Sequence, residues 1–153
     1  MNKTGIGSPI EQRNTGKGNP NAIIHADRPL NNRQKDLLDR LPDYNSRLVV
    51  NKREVSMRDI AALTAYTGDE FAVFTKGKER LIIRGNSSMV EIDARSAKEL
   101  ADKGYRWSGH IHPGMSGNSL IASGGDILVL NQFPQERSVI YNSKGYYEVF
   151  EKE

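Results

Sequence analysis

Residues 56–84 read SMRDIAALTAYTGDEFAVFTKGKERLIIR and contain the patterns of one helix and two strands. Ser56 stands three residues before an aspartate and just ahead of apolar residues at helical spacing, which is a capping-box-like start. Gly68 is expected to end this helix. The apolar segments 70–75 and 79–84, separated by Lys-Gly-Lys, predict a β-hairpin directly after the helix.

Segments on both sides of this stretch complete the pattern. Further helices are expected at 31–41, 94–103 and 123–131, and further strands at 47–50, 90–92, 105–111, 138–141 and 146–150. The order of these elements predicts an α/β fold of the mixed α+β type, in which a mixed β-sheet is flanked by helices.

The first 28 residues differ from the rest of the chain. Glycine, asparagine and proline punctuate them, and no apolar period begins before Ile23 and Ile24. We predict a flexible arm or linker over 1–28 and a folded domain over 29–153. Such an arm either joins the domain to a larger protein or packs onto its own domain, and the sequence leaves both open. His25 lies in the arm and is expected to be incidental.

Composition limits the chemistry that the chain can perform. Its 153 residues and 37% hydrophobic content suit one domain with a real core. The chain has no cysteine, which excludes disulfides, thiolate nucleophiles and cysteine-ligated zinc, so a metal would need histidine and carboxylate ligands. No run of about 18 apolar residues predicts a membrane span, and no secretory signal is visible. We therefore expect a cytoplasmic location and no membrane partner.

Charge is spread evenly along the chain. The 22 basic and 19 acidic residues give a net charge of +3 and a pI of about 9.2, but they are interleaved, as in Glu79-Arg80 and Lys98-Glu99. A nucleic-acid-binding protein usually concentrates its basic residues on one stripe. The pattern is therefore typical of an ordinary solvated surface and disfavours a nucleic-acid partner.

A histidine pair carries the strongest chemical signal. Residues 107–113 read WSGHIHP, and because residues two apart on a strand point to the same side, His110 and His112 would present both imidazoles to one face. Asp126, in the first turn of the next predicted helix, can supply a carboxylate. Two imidazoles and one carboxylate leave a fourth Zn²⁺ position for water, and the metal lowers the pKa of that water toward about 7.

Two further residues are candidates for hydrolysis at such a site. Glu70, at a predicted strand entry, is the candidate general base, because burial and the metal's charge would poise its pKa near neutrality. In isolation it is equally typical of a surface carboxylate. Ser123 can donate its hydroxyl to an oxyanion. Ser123-x-x-Asp126 is also the pattern of a helix N-cap, and we expect that a metal-bound Asp126 cannot reach back as a cap.

The candidate residues occur in a distinctive order. That order is Glu70, His110-x-His112-Pro113 and Ser123-x-x-Asp126. It resembles the JAMM signature of the JAB/MPN metalloproteases, over about residues 46–141. The resemblance implies a JAB/MPN-like, cytidine-deaminase-like architecture and a zinc-dependent hydrolase that cleaves an amide or isopeptide bond. It also implies that the two histidines and the aspartate bind Zn²⁺, that the glutamate is the acid and base, and that the serine is the oxyanion helper.

A more distant resemblance concerns the setting of the module. The whole chain, including residues 8–20, resembles modules at the C-termini of phage minor head proteins and bacterial polymorphic toxins. This implies a protein or peptide substrate and a larger phage or toxin parent that delivers the module. The loop 113–122 is longer than in the JAMM pattern and rich in glycine, and it is a candidate lid. Two alternatives stay open: a non-catalytic scaffold on the same fold and a metal-dependent nuclease toxin.

Overall fold

A computed structural model describes residues 29–114 and 117–152. Its helices are α1 (Asn32–Asp39), α2 (Met57–Thr67), α3 (Ala94–Asp102) and α4 (Gly124–Leu130), and its strands are β1 (Arg47–Asn51), β2 (Phe71–Lys76), β3 (Glu79–Arg84), β4 (Arg106–Ile111), β5 (Arg137–Tyr141) and β6 (Tyr147–Glu151). A 3₁₀ turn over Gly117–Leu120 precedes α4. These elements confirm the predicted mixed α/β class. The predicted arm, 1–28, and its His25 lie outside the described residues.

The six strands form one sheet in the order β1-β3-β2-β4-β5-β6. Neighbouring strands are antiparallel except β4 and β5, which run parallel. Helix α4 lies in the connection between these two parallel strands. Strand β2 begins beside the end of β4, where Phe71 pairs with Ile111. The residues just before β2 and just after β4 therefore meet at one end of the sheet.

The sheet has a hydrophobic core on each face. The core beside α1 and α2 includes Leu37, Ile60, Leu63, Phe71, Val73, Ile82 and Ile111. The core beside α3 and α4 includes Phe74, Ile83, Leu100, Trp107, Leu130, Phe133 and Phe150. Strands β2 and β4, at the centre of the sheet, contribute to both cores, so close packing on two sides fixes their positions.

A β-bulge in β4 changes the direction of its side chains. Val73 and Phe74 are consecutive in β2, but their partners in β4 lie two positions apart, so Ser108 is the extra residue. Trp107 and His110, three positions apart, would face opposite sides of a regular strand. The bulge brings both to the same face, where their rings stack with centroids 4.7 Å apart.

The strand predicted over residues 90–92 is wrong. After β3 the chain turns at Asn86, whose N–H donates to the carbonyl of Met89 (2.8 Å) and whose side-chain oxygen accepts from two further N–H groups of the turn. Val90 then enters the core shared with α3 and α4. The N–H of Ile92 donates to the carbonyl of Val90 (2.8 Å), so the backbone bends there. Asparagine turn chemistry therefore overrides the apolar strand pattern.

The predicted helix starts are confirmed. Ser56, Asp93 and Ser123 are the N-caps of α2, α3 and α4, and Gly68 ends α2 with a φ of 78°, which glycine adopts without steric cost. The other predicted helices and strands agree with the structure to within two residues at each end. In the described part of the chain, no helix has the length and apolar character needed to cross a membrane.

Candidate metal centre

Strand β4 delivers two histidines to the same side of the sheet. His110 lies within β4 with 2% of its side chain exposed. His112 follows the strand, where its N–H donates to the carbonyl of Tyr141 (2.8 Å). The two rings lie edge to face with centroids 4.6 Å apart. The prediction that both imidazoles lie on one face is confirmed.

Helix α4 brings a carboxylate to the two imidazoles. Asp126 Oδ1 lies 3.1 Å from His110 Nε2, and Asp126 Oδ2 lies 3.4 Å from His112 Nε2. One ligand atom from each of these residues lies within 4.8 Å of the other two. Although burial alone would raise it, the pKa of Asp126 is well below its usual value because both imidazoles face the carboxylate. This largely buried group can hold a metal ion.

The Asp126 carboxylate also caps its own helix. Its Oδ2 accepts from the N–H of Ser123 (2.9 Å), and Ser123 Oγ accepts from the N–H of Asp126 (3.0 Å). Asp126 therefore caps its helix and faces both imidazoles at the same time, because a carboxylate has two oxygens with several acceptor positions. The expectation that a metal-bound Asp126 cannot reach back as a cap stays a prediction. The capping box fixes the carboxylate while Oδ1 remains directed at His110.

A backbone carbonyl fixes the proton on His112. Its Nδ1 lies 2.9 Å from the carbonyl oxygen of Ser119, which can only accept, so Nδ1 carries a hydrogen. In the neutral ring Nε2 keeps its lone pair and faces Asp126. Burial lowers the pKa of His112, but the facing Asp126 and Glu70 carboxylates outweigh it and raise the pKa above its usual value. A cation on Nε2 would compete with a proton there.

His110 is held neutral inside the protein. Burial lowers the pKa of its ring, and the nearby Asp126 only partly opposes this. Neither ring nitrogen makes a hydrogen bond of good geometry, although Nε2 lies close to Asp126 Oδ1. Leaving a buried polar atom without a partner costs about 1–3 kcal/mol. A metal ion would give Nε2 that partner, so the orphaned nitrogen fits a metal site.

Glu70 stands at the entrance to β2, as predicted. Because Phe71 pairs with Ile111 in antiparallel register, the flanking residues Glu70 and His112 come to the same end of the sheet. Burial raises the pKa of Glu70 to about 7, while the positive charge of His112 lowers it and the negative charge of Asp126 raises it further. A carboxyl group that titrates near neutral pH can both accept and donate a proton.

Backbone and side-chain contacts hold Glu70 in place. Its N–H donates to the carbonyl of Asn86 (2.7 Å), and its carbonyl accepts from the N–H of Gly85 (2.7 Å). The preceding residue, Asp69, forms a half-buried ion pair with Arg84 (2.9 Å). The Arg84 guanidinium also donates to a backbone carbonyl just beyond α1 (2.6 Å). The strand entry is therefore tied both to β3 and to the end of α1.

A cleft of about 300 Å³ opens beside these residues. Its polar lining residues are Glu70, Ser88, His110, His112, Ser123 and Asp126, and its apolar lining residues are Ala72, Met89, Val90, Ile92, Trp107 and Val129. Every candidate site residue taken from the sequence lines this one cleft. The volume is near the lower limit of about 300–1,000 Å³ that is usual for ligand pockets.

The candidate lid is anchored at its C-terminal end. Leu120 and Ala122, the last apolar residues of the loop 113–122, are buried in the core shared with α3 and α4. Leu120 is the last residue of the 3₁₀ turn, which also contains Ser119, whose carbonyl holds His112. Residues 115–116 lie outside the described residues, so lid closure stays a prediction.

Some contributions to the site could not be found from the sequence. The Ser119 carbonyl orients His112, but every residue has a backbone carbonyl and no side-chain signal marks this one. Trp107 is a core residue, and it also stacks on His110. Met89 lines the cleft because of the turn at Asn86. Asparagine followed by two serines is a recognisable turn signal that could have placed Met89 there.

Comparisons of the chain with protein-family models, with curated proteins and with solved structures found no match. The fold and the site therefore define the class to which the chain can be assigned. That class is a mixed α/β protein with a buried cluster of two histidines and one aspartate that can bind a metal ion.

Proposed function

We propose that the chain is a zinc-dependent hydrolase of amide or isopeptide bonds, a JAMM-type peptidase on a JAB/MPN-like fold. The observation that carries the proposal is the convergence of His110, His112 and Asp126 beside a cleft that Glu70 also lines. Two imidazoles and one carboxylate are a usual donor set for a catalytic zinc, which keeps a fourth position open. When bound, the metal supplies Lewis acidity toward water and the scissile carbonyl.

Glu70 is the proton carrier in this proposal. Its half-buried carboxyl, with a pKa of about 7, takes a proton from the attacking water and gives it to the leaving amine. The backbone hydrogen bonds to Gly85 and Asn86 hold it at the cleft. The backbone of Glu70 is therefore preorganised beside the cleft.

Ser123 is the oxyanion donor in this proposal. Its Oγ accepts from the N–H of Asp126, which leaves the hydroxyl hydrogen available for donation. The side chain lines the cleft, so the hydroxyl can donate to the carbonyl oxygen as negative charge develops there. The helix cap and the oxyanion donor are thus the same side chain acting through different atoms.

The substrate is proposed to be a protein or peptide, and the parent a larger phage or toxin protein. The cleft supports this choice over the nuclease alternative, because the titratable groups in its described lining are two carboxylates and two imidazoles, with no lysine or arginine to hold a phosphate. The scaffold alternative differs in predicting no stoichiometric zinc.

Zinc stoichiometry and peptide cleavage together test the proposal. Elemental analysis is expected to find about one zinc per chain in the wild type, none in His112→Ala, and an unchanged amount in His25→Ala. A mixed peptide library and a lysine-isopeptide series, analysed by mass spectrometry, should be cleaved by the wild type and not after chelation. Glu70→Gln should keep zinc and lose cleavage. A folded, zinc-free wild type would favour the scaffold, and chelator-sensitive cleavage of RNA or DNA alone would favour the nuclease.

A further inference from the structure

The cleft carries several apolar lining residues beside the candidate reaction centre. We infer that Met89, Val90 and Ile92 form a subsite for an aliphatic side chain next to the scissile bond. This inference deepens the proposed function and rests on it. It assigns a substrate preference to the segment 85–92, which carries none of the candidate catalytic residues.

Met89 is the exposed part of this subsite. Met89 is 47% exposed, and it lines the cleft together with the largely buried Val90 and the partly buried Ile92. When an apolar ligand group covers exposed apolar surface in a concave site, the free energy of binding becomes more favourable. A substrate side chain that lies on Met89 would therefore contribute directly to binding.

The turn that carries Met89 is closed by hydrogen bonds and is joined to the backbone of Glu70. Asn86 closes it through its N–H, which donates to the Met89 carbonyl, and through its side-chain oxygen. A Cβ on Gly85 would lie 2.1 Å from the Met89 carbonyl oxygen, so only glycine allows this close approach. Both Gly85 and Asn86 pair with the backbone of Glu70. The apolar subsite is therefore preorganised beside the proposed proton carrier.

The residues that line the cleft and its volume limit which substrate side chains the subsite would accept. An acidic side chain placed on Met89 and Val90 would lose its hydration without gaining a partner, because the described lining of the cleft has no lysine or arginine. A volume of about 300 Å³ leaves room for a short extended segment and not for a folded partner. The subsite consequently favours side chains such as leucine, methionine or valine over glycine, and glycine over aspartate.

Two hydroxamates test the subsite without requiring turnover. Zinc-loaded protein, with its zinc content measured first, is titrated by calorimetry with acetohydroxamate and with 4-methylpentanohydroxamate. The second compound adds four carbons, and their burial should tighten binding about tenfold or more in the wild type. Met89→Gln, which keeps the length of the side chain and makes it polar, should reduce this preference to about threefold or less and leave acetohydroxamate affinity unchanged.

The matched control is Leu128→Gln, because Leu128 on α4 is 59% exposed and does not belong to the described lining of the cleft. It should keep the wild-type preference. Equal affinities of zinc-loaded wild type for the two hydroxamates, or an unchanged preference in Met89→Gln, would overturn the subsite. Preference without cleavage of any peptide would contradict the proposed hydrolysis and support the subsite. A chain that binds no zinc would contradict both.

Discussion

At the scale of single residues, the candidate site depends on side chains that use different atoms for different tasks. Asp126 caps α4 through Oδ2 and faces His110 through Oδ1. Ser123 accepts from the N–H of Asp126 and keeps its own hydrogen for another acceptor. The pattern Ser-x-x-Asp therefore forms a helix cap and part of the candidate site at the same time. The capping hydrogen bonds orient the Asp126 carboxylate toward the imidazoles.

Replacing Ser123 by alanine separates its two tasks. Loss of the cap should lower the free energy of unfolding by about 1 kcal/mol, while zinc content stays unchanged. Loss of the oxyanion donor should lower kcat on the order of 10²-fold. Asp93→Ala is the control, because Asp93 caps α3 by accepting from the N–H of Ser96 and should show a similar loss of stability without a loss of rate. Equal kcat values for the two variants would remove Ser123 from the mechanism.

Glu70 should make the stability of the metal-free protein depend on pH. Its pKa is about 7 in the folded chain against 4.5 for an ordinary glutamate, so between these values the folded state keeps a proton that the unfolded state releases. This group's contribution to stability is therefore fully present below pH 4.5 and is lost as the pH rises through 7.

Urea unfolding in the presence of a chelator measures this effect. Glu70→Gln cannot ionise, so its stability relative to the wild type should increase between pH 5 and pH 8, by about 1–3 kcal/mol. His110, His112 and Asp126 are present in both proteins, so the difference between the two curves reports Glu70 together with its charge coupling to His112. Glu99→Gln, on the exposed side of α3, should follow the wild type. A constant difference between Glu70→Gln and wild type would show that Glu70 is an ordinary solvated carboxylate.

At the scale of elements, the sequence predicted those features that depend on residues close together in the chain. The caps at Ser56, Asp93 and Ser123 were predictable because each side chain bonds a backbone group three residues away. The bulge at Ser108 was not predictable, because it exists only in the pairing of β4 with β2. The strand expected at 90–92 failed because the preceding turn redirects the chain into the core.

The turn after β3 should tolerate no side chain at Gly85. The Cβ of Gly85→Ala would meet the backbone carbonyl of Met89 at 2.1 Å, so the turn must shift, and we expect a loss of about 1–3 kcal/mol in the free energy of unfolding. Gly124→Ala is the control, because a Cβ at position 124 meets nothing within 4 Å. This substitution should stabilise α4 by up to about 1 kcal/mol. Urea unfolding compares the two, and similar values would contradict the close approach at Gly85.

At the scale of the whole molecule, the site is a product of strand pairing. The sequence order predicted a mixed sheet, but the order β1-β3-β2-β4-β5-β6 depends on contacts between distant segments. Antiparallel pairing of β2 with β4 brings Glu70 to His112, and the crossover from β4 to β5 places α4, with Asp126, over the same end of the sheet. Candidate residues could be chosen from the sequence, whereas their convergence required the fold.

Because the three candidate ligands lie in β4, directly after β4 and in α4, a bound metal should hold these elements together and stabilise the whole fold. A ligand that binds only the folded state stabilises it by about 2.7 kcal/mol when its free concentration is 100 times Kd. Added zinc should therefore raise the Tm of the wild type and of His25→Ala by several degrees, since about 1 kcal/mol shifts Tm by at least 2 °C in a domain of this size. Chelation should reverse the shift, and His112→Ala should show none. Because protons compete with the metal for His112 Nε2, the shift should also shrink as the pH falls below the pKa of that ring. An equal rise of Tm in His112→Ala would place the stabilising metal elsewhere on the protein and separate it from the cluster in the cleft.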